Sequence, residues 1–214
     1  IRSPADAALA ARMIAIAGVL VAKQKIQKLT GSEQNSKLAK QFESMVMDSR
    51  VSLFNESASG LARMHYPGMP ETLSLFISRG VPAGMISLGM DLFLDNVLDM
   101  LISDHGLVVS FADCTLTTEK DGLFAGYDPE MELLDPSEKR RLLQGRIEGF
   151  GAAVPLVIGH DRDDMGLFTT AREAGGLAVG FNPMPAVYEH LDAALFAPDW
   201  SALHGIFSQW YSYQ

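Results

Sequence analysis

Cysteine and positive charge are both scarce in this sequence of 214 residues. Cys114 has no second cysteine to pair with, which excludes an internal disulfide and favours a reducing, cytoplasmic location. Lysine and arginine number 17 against 26 aspartates and glutamates, so the net charge is −9. Such a surface repels nucleic acid and anionic membranes, and neither is expected as a partner. A small phosphorylated molecule remains compatible, because a metal ion and a few local cations can hold a phosphate.

Long apolar runs are missing as well. The longest, residues 13–22, has ten residues, whereas a helix that crosses a bilayer needs about 20. No signal-peptide cleavage site comes after it, and lysines come soon after. We interpret this run as part of an Ala-rich helix over residues 3–29, although residues 13–21 also resemble a buried strand that contains no carboxylate.

The first part of the chain is predicted to be helical. Apolar residues recur at helical spacing over residues 33–55, after the Ala-rich helix. Two helices joined by a short break would form a small helical cap of residues 1–62. Residues 63–214 would form a larger domain.

Short apolar runs alternate with helical patterns in this larger domain. They predict strands near residues 82–87, 107–111, 154–159 and 177–181, with a hairpin turn at residues 119–122. The alternation predicts an α/β fold, with a Rossmann-like, mostly parallel sheet and helices on both faces. Ligands bind such sheets at the carboxyl ends of the strands.

An acidic loop comes directly after the predicted strand at residues 154–159. It contains Asp161, Asp163 and Asp164, three carboxylates within four positions. Their repulsion is unfavourable unless a positive charge lies nearby, and oxygen ligands of this kind suit Mg²⁺. The loop is therefore a candidate metal site. The alternative is a solvated acidic turn in which Asp164 caps the next helix.

Several segments resemble one protein family in their order and spacing. They are PGMPETL at residues 67–73, FAD at 111–113, VIGHDRDDMGLF at 157–168 and AREAGGLAVGFN at 171–182. Together they resemble the motifs of the haloacid dehalogenase superfamily, in its phosphoserine phosphatase-like branch with uncharacterised archaeal members. The resemblance covers roughly residues 67–196.

This resemblance implies a phosphatase that hydrolyses small phosphorylated metabolites through an aspartyl-phosphate, with Mg²⁺ or Mn²⁺ as cofactor. It assigns catalytic and substrate-binding roles to Ser87, which would donate a hydrogen bond to phosphate, and to Lys139, which would neutralise the transferring phosphoryl group. Asn182 is a further substrate-binding candidate. Asp161 and Asp164 are the candidate metal-site residues.

Two departures from the family pattern leave the function open. His160 stands where the family has a metal-ligating aspartate, and imidazole is a poor ligand for Mg²⁺. No predicted strand ends in the D-x-D motif that would supply the nucleophile and the general acid. Residues 1–8 resemble the segment directly after that motif in the archaeal branch, which implies a nucleophile shortly before Ile1. The alternative is a non-catalytic relative that binds a phosphometabolite or a protein partner.

The resemblance leads to two structural expectations. Ser87, Lys139 and the loop 161–164 should converge on one cleft, with side-chain tips within roughly 10 Å of one another. Arg140 and Arg141 compete with Lys139 for this position. If the nucleophile strand is missing, the sheet should have a gap or a borrowed strand at its centre, because the neighbouring strands would keep unpaired backbone groups.

Overall fold

The computed structural model describes residues 35–62, 67–130, 136–151 and 153–212. Three expectations for the start of the chain lie outside these residues: the helix at 3–29, the alternative strand at 13–21 and the motif at 1–8. None of the described helices combines the length and the apolar character that crossing a bilayer requires.

Helices and strands succeed one another along the described residues. The helices are α1 (Asn35–Val46), α2 (Val51–Ala62), α3 (Met69–Ile77), α4 (Asp91–His105), α5 (Pro136–Gly149), α6 (Met165–Glu173) and α7 (Ser201–Ser212). The strands are β1 (Gly84–Met90), β2 (Phe111–Thr115), β3 (Thr117–Lys120), β4 (Leu123–Tyr127), β5 (Leu156–Gly159), β6 (Leu177–Phe181) and β7 (Ala193–Leu195). Two short 3₁₀ helices cover Arg162–Asp164 and Pro185–His190.

The strands form two parallel sheets and one antiparallel hairpin. β1 pairs in parallel with β2, with Gly84 opposite Phe111. β6 lies between β5 and β7 and runs parallel to both. β3 and β4 form the predicted hairpin, in which Asp121 and Gly122 both have positive φ, as a two-residue turn of this kind requires. The predicted α/β class with mostly parallel strands is confirmed.

Helices cover both faces of the parallel strands. On one face, Val157 of β5 packs with Leu143 of α5 and Phe168 of α6. On the other face, Ile158 of β5 packs with the cluster that contains Phe76 of α3 and two residues of α7. Successive residues of a strand point to opposite faces, so each strand contributes to both layers. These layers are those of the predicted Rossmann-like fold.

The described parallel strands fall into two half-sheets, β1–β2 and β5–β6–β7. In the part of the chain that the structure describes, β1 pairs only with β2 and β5 pairs only with β6. The two halves still share a layer, because Ile86 of β1 packs into the cluster that contains Val157 of β5. Residues 84–88 are only half-buried, which is unusual for a parallel strand covered on both faces. The described residues supply no strand between β1 and β5, and the expected gap or borrowed strand stays a prediction.

The single helix predicted over residues 33–55 is wrong. The chain forms two helices there, α1 and α2, separated by a short break at Asp48, which has a φ of 62°. The Asp48 amide donates a hydrogen bond to the carbonyl of Phe124 in β4. The helix ends because the backbone of the break bonds to the hairpin, and no local sequence pattern announces that partner.

β1 and β2 begin later than the predicted strands at 82–87 and 107–111. Leu107 donates its amide to the Leu101 carbonyl and thereby closes the end of α4, so that β2 starts only at Phe111. In the same way, the Val81 amide donates to the carbonyl of Phe76 at the end of α3. Apolar residues at these positions close the helix ends and do not belong to the strands.

The described part of the helical segment packs on the hairpin and on the end of β1. Val46, Phe54, Phe124 and Tyr127 form one cluster with Met90, the last residue of β1. The ring centroids of Phe54 and Phe124 are 5.7 Å apart. Helices α1 and α2 therefore lie near the carboxyl end of β1, the edge of the sheet at which ligands are expected.

Cys114 lies in β2 and is buried. Burial raises the pKa of its thiol to about 12, with further contributions from the carboxylates of Asp91, Asp95 and Asp113. A thiol with this pKa is protonated at neutral pH and therefore a weak nucleophile.

Candidate active site

A capping box organises the acidic loop after β5. The Asp161 carboxylate accepts a hydrogen bond from the Asp163 amide at 3.0 Å. The Asp164 carboxylate accepts from the amides of His160, at 2.9 Å, and of Asp161, at 3.3 Å. Amides at the start of a helix have no carbonyl of an earlier turn to bond to, and these side-chain oxygens accept their hydrogen bonds instead. Asp161 caps the 3₁₀ helix, whereas Asp164 occupies the N-cap position of α6 without a side-chain capping bond.

The last residue of β5 must be a glycine for this loop to form. A Cβ atom at Gly159 would lie 2.7 Å from Oδ2 of Asp164 and 2.9 Å from its Cγ. These separations are shorter than real Cβ contacts, and the carboxylate is held by its hydrogen bonds. The absence of a side chain at position 159 therefore allows Asp164 to fold back under the strand end.

Lys139, near the start of α5, forms a buried ion pair with this loop. Its Nζ lies 2.8 Å from Oδ1 of Asp164. The relative exposure is 6% for Lys139 and 8% for Asp164, so water screens the pair little. One oxygen of the carboxylate therefore bonds to the ammonium group, while the other accepts the two loop amides.

The pKa of Asp164 reflects these contacts. Burial alone would raise it, but the charge and hydrogen bond of Lys139, together with the amides of His160 and Asp161, hold the pKa of this carboxyl below its usual value. Asp164 is thus ionised at neutral pH.

The neighbouring arginines point elsewhere. Arg140 pairs with Glu173 at 2.9 Å, and Arg141 pairs with Glu138 at 2.7 Å. Both arginine side chains are exposed. Of the three consecutive cations at the start of α5, Lys139 is the one that contacts the acidic loop.

Three side chains of the loop offer ligand atoms for a cation. Those of His160, Asp161 and Asp164 lie within 4.8 Å of one another. His160 is exposed; its Nε2 lies 3.6 Å from Oδ2 of Asp161, and its Nδ1 lies 3.7 Å from Oδ2 of Asp164. The donors fit a divalent cation in number and type. An imidazole among carboxylates suits Mn²⁺ or Zn²⁺ better than Mg²⁺.

Ser87 does not end its strand, contrary to expectation. It lies within β1, although the pairing of β1 with β2 becomes irregular between Ile86 and Met90. Its hydroxyl accepts a hydrogen bond from the Gly89 amide at 3.0 Å. No hydrogen bond among the described residues joins Ser87 to Lys139 or to the acidic loop. Their convergence on one cleft stays a prediction.

Asn182 comes directly after β6 and has a φ of 47°. Its side-chain amide donates to the Ala197 carbonyl at 2.7 Å, and its side-chain oxygen accepts from the Ala197 amide at 3.1 Å. Both polar groups of the side chain therefore hold the segment after β7. The second N–H and the second oxygen lone pair of the side chain leave room for one further contact of each kind.

The ion pair that joins α5 to β2 was not predicted from the sequence. Arg146 donates two hydrogen bonds to the carboxylate of Asp113 in β2, at 2.6 and 3.0 Å. Its guanidinium carbon lies 5.1 Å from the centroid of the Phe111 ring. The residues are 33 positions apart, and a lone arginine on a helix gives no sequence signal for such a contact.

A separate groove of about 450 Å³ lies between α3, the end of α4 and α7. It contains none of the predicted site residues, and its lining is Pro70, Glu71, Ser74, Leu75, Ser78, His105, Leu107 and His204.

Solved structures similar to this chain include phosphoserine phosphatases and a haloacid dehalogenase family hydrolase. A phosphoserine phosphatase, solved as an analogue of its phospho-aspartyl intermediate, aligns with a TM-score of 0.71 and 19% identity over 91% of this chain and 87% of that one. A haloacid dehalogenase family hydrolase from Salmonella enterica serovar Typhi aligns with a TM-score of 0.70 and 15% identity over 91% of this chain. A probable phosphoserine phosphatase from Vibrio cholerae aligns with a TM-score of 0.66 and 16% identity over 94% of this chain.

These similarities concern the fold. The chain spans 62% of the length of the Salmonella hydrolase and 59% of that of the Vibrio protein. No family model and no curated protein matches the sequence. The fold that the sequence motifs implied is nevertheless the fold of the solved neighbours.

Proposed function

We propose that this protein hydrolyses phosphomonoesters by means of a divalent cation. The proposal starts from its fold, which is the haloacid dehalogenase-type fold of the phosphoserine phosphatases. The attacking aspartate lies upstream of Ile1 in this proposal. It attacks phosphorus, the bond to the leaving alcohol oxygen breaks as a general acid protonates that oxygen, and water then releases inorganic phosphate from the aspartyl-phosphate.

The buried ion pair of Lys139 with Asp164 is the observation that carries this proposal. A lysine fixed by a buried carboxylate holds its charge at one place, beside the loop at the carboxyl end of β5. A phosphoryl group bound there would have its developing charge offset by Nζ without rearrangement of the site. The carboxyl ends of parallel strands are also where ligands bind in α/β folds.

The acidic loop would hold the cation. We assign Asp161 and Asp164 to this site, with His160 as a neighbouring nitrogen donor. Asp164 also orients Lys139. A bound cation would draw electron density from the phosphate oxygens. We propose Mg²⁺ or Mn²⁺, of which Mn²⁺ accepts an imidazole more readily.

Ser87 and Asn182 complete the proposed site. The Ser87 hydroxyl would donate to a phosphate oxygen while it accepts from the Gly89 amide. Asn182 would act chiefly by holding the segment after β7. The helical cap of residues 1–62 would cover the carboxyl edge of the core, residues 63–214, and select among small phosphorylated metabolites.

A non-catalytic relative that binds a phosphometabolite or a protein partner is the second candidate. His160 favours it, because this residue replaces a carboxylate that the family pattern uses for the metal. The sequence also contains no predicted strand that ends in D-x-D, and this too favours the non-catalytic candidate.

Phosphatase assays on two forms of the protein test the proposal. We expect the chain as given to be inactive on p-nitrophenyl phosphate with Mg²⁺ or Mn²⁺, and a form extended upstream of Ile1 to be active. In the extended form, Lys139→Met should lower kcat by orders of magnitude, because charge at the transition state is no longer offset. The matched variant Arg140→Met should keep full activity.

Three results would change this assignment. Turnover by the chain as given contradicts the upstream nucleophile. An inactive extended form makes His160 the suspected defect, and His160→Asp should then restore activity. If that variant is inactive too, and calorimetry detects no binding of Mg²⁺ or Mn²⁺, the non-catalytic candidate is favoured.

A further inference from the structure

The segments that lead into the parallel strands carry no charge. Each begins at a glycine of positive φ and ends at the first residue of β1, β2, β5 or β6: residues 80–84, 106–111, 151–156 and 175–177. The four segments have five, six, six and three residues, and none of these residues is charged, although charged residues make up 20% of the chain. We call the four segments together the amino edge. It lies at the opposite end of β5 from the acidic loop.

Contacts join the four segments into one continuous surface. The Ser110 amide donates a hydrogen bond to the Ala83 carbonyl at 2.7 Å, which joins the first two segments. The ring centroids of Phe111 and Phe150 are 6.1 Å apart, which joins the second segment to the residue directly before the third. The first residue of β6 donates its amide to the Pro155 carbonyl at 2.9 Å, which joins the third segment to the fourth. The amino edge therefore extends across both half-sheets.

Large apolar side chains are exposed along this surface. Five of them have exposed fractions between 39% and 71%: Val81, Val108, Phe150, Val154 and Leu177. An apolar residue after a helix-ending glycine often packs back on its helix, which accounts for the buried Leu107. It does not account for Val108 and Val154, the two most exposed of the five. Single exposed apolar residues are ordinary, but a continuous apolar patch indicates an interaction site.

The charge of the chain favours a second copy of the same chain as the partner. In a two-fold contact the same surface of both copies meets, so a charged surface repels itself. The net charge of −9 makes much of this protein unsuited to such a contact. A basic partner would instead bind where acidic residues are exposed, and the amino edge has none.

The size of the amino edge also fits a dimer interface. A stable interface uses roughly 20–30 residues on each side, with an apolar centre and a polar rim. The amino edge supplies about 20 residues, and charged residues of both signs lie within three positions of it along the chain: Arg79, Asp104, Glu148 and Glu173. An interface at the lower end of this range is expected to have a Kd in the micromolar range.

We propose that the amino edge is the interface of a homodimer, in which two copies pack their exposed apolar side chains against each other about a two-fold axis. The acidic loop and Lys139 lie at the other end of β5, so the candidate active site stays accessible in both copies. The dimer rests on the charge, exposure and continuity of the amino edge, and not on the proposed phosphatase function.

Sedimentation of the full chain between about 1 and about 100 µM tests the dimer. The acidic variant combines Val108→Asp with Val154→Asp, and the basic variant combines Val108→Lys with Val154→Lys. The control is Phe196→Asp, because Phe196 is 65% exposed and comes directly after the carboxyl end of β7, away from the amino edge.

We expect the wild-type chain to be in equilibrium between monomer and dimer. The acidic and the basic variant should each raise the Kd of the dimer at least about 100-fold, because like charges then meet across the axis. An equimolar mixture of the two variants should form dimers again, since opposite charges meet, and the control should dimerise like the wild type.

Urea denaturation shows that the variants are folded. The substituted side chains are exposed, so the midpoints should match that of the wild type. If a double variant does not fold, the single variants Val108→Asp and Val108→Lys replace the pair in the same experiment.

Four outcomes overturn the proposal. The first is a wild-type chain that stays monomeric at about 100 µM. The second is such a monomer that binds vesicles of phosphatidylcholine while the acidic variant does not, because the amino edge then faces lipid. The others are an acidic variant that dimerises like the wild type and a mixture that forms no dimers. The sedimentation is done without substrate, so the dimer and the proposed phosphatase activity can each fail alone.

Discussion

Helix α5 is attached to the sheet by two ion pairs that differ in their surroundings. Near its start, Lys139 and Asp164 are both buried, and Asp164 accepts two further hydrogen bonds from loop amides. Two turns later, Arg146 binds Asp113 through two hydrogen bonds, but 40% of the arginine side chain is exposed. The first pair joins α5 to the half-sheet of β5, and the second joins it to that of β2.

The difference teaches what each contact contributes. A buried charge that loses its partner cannot be hydrated, so breaking the Lys139 pair is costly even if the intact pair stabilises little. Water can solvate the Arg146 side chain, so the second pair should act mainly through geometry, by two parallel hydrogen bonds and by contact with Phe111. Substitutions and a pH series test this contrast, from the largest expected effect to the smallest.

Lys139→Ala should be the most destabilising change. It leaves the Asp164 carboxylate buried without its cation, and we expect a loss of about 3–5 kcal/mol in the free energy of unfolding. Urea denaturation measures it. The double variant Lys139→Met with Asp164→Asn should recover most of the loss, because neither side chain is then charged and the side-chain oxygen of the asparagine can still accept from the loop amides. A loss below about 1 kcal/mol for Lys139→Ala would show that water reaches the pair.

Acid should weaken the first pair. The pKa of Asp164 is lower in the folded protein than in the unfolded chain, where it is about 3.9. The carboxylate therefore stabilises the fold above the unfolded pKa, and this contribution is lost as the pH falls through the folded pKa. Denaturation at pH values between about 7 and 2 should show the difference between the wild-type chain and Asp164→Asn shrinking below about pH 4. A constant difference would contradict the lowered pKa.

Arg146→Lys should cost less. The lysine keeps the charge but cannot make two parallel hydrogen bonds or stack on Phe111 in the same way, and we expect a loss of about 0.5–1.5 kcal/mol. The loss should stay similar in about 1 M NaCl, since hydrogen-bond geometry and not charge is removed. If salt abolishes it, the pair acts as a screened surface charge.

Arg140→Ala is expected to have the smallest effect. Both partners of the pair with Glu173 are exposed, so the free energy of unfolding should change by less than about 0.5 kcal/mol. This variant also serves as the control for Lys139→Ala, because it removes one cation from the neighbouring position. A loss as large as that of Lys139→Ala would mean that burial does not distinguish the two pairs.

The sequence predicted those features that short segments encode. The alternation of strands and helices, the hairpin turn at Asp121 and Gly122, and the acidic loop after β5 are local patterns. For the cation that contacts the acidic loop, the sequence offered three consecutive candidates, of which Lys139 is one. Helix periodicity does not say which of three neighbours faces a loop 25 positions away.

Features that depend on distant partners could not be predicted in this way. The break at Asp48 depends on Phe124, and the second attachment of α5 depends on Asp113. β1 continues past Ser87 to Met90, which packs in one cluster with Phe54 and Phe124, and no local pattern reveals that contact. These partners meet only when the fold brings them together.

Cys114 is a natural probe for the transient opening of the half-sheet formed by β1 and β2. Its sulfur is the one thiol of the chain, it is buried in β2, and its pKa of about 12 keeps it protonated. An alkylating reagent can therefore react only during the moments when β2 is exposed and the thiol regains an ordinary pKa. The rate of labelling, measured by mass spectrometry, therefore reports how often the β1–β2 half of the sheet opens, and no introduced probe is needed.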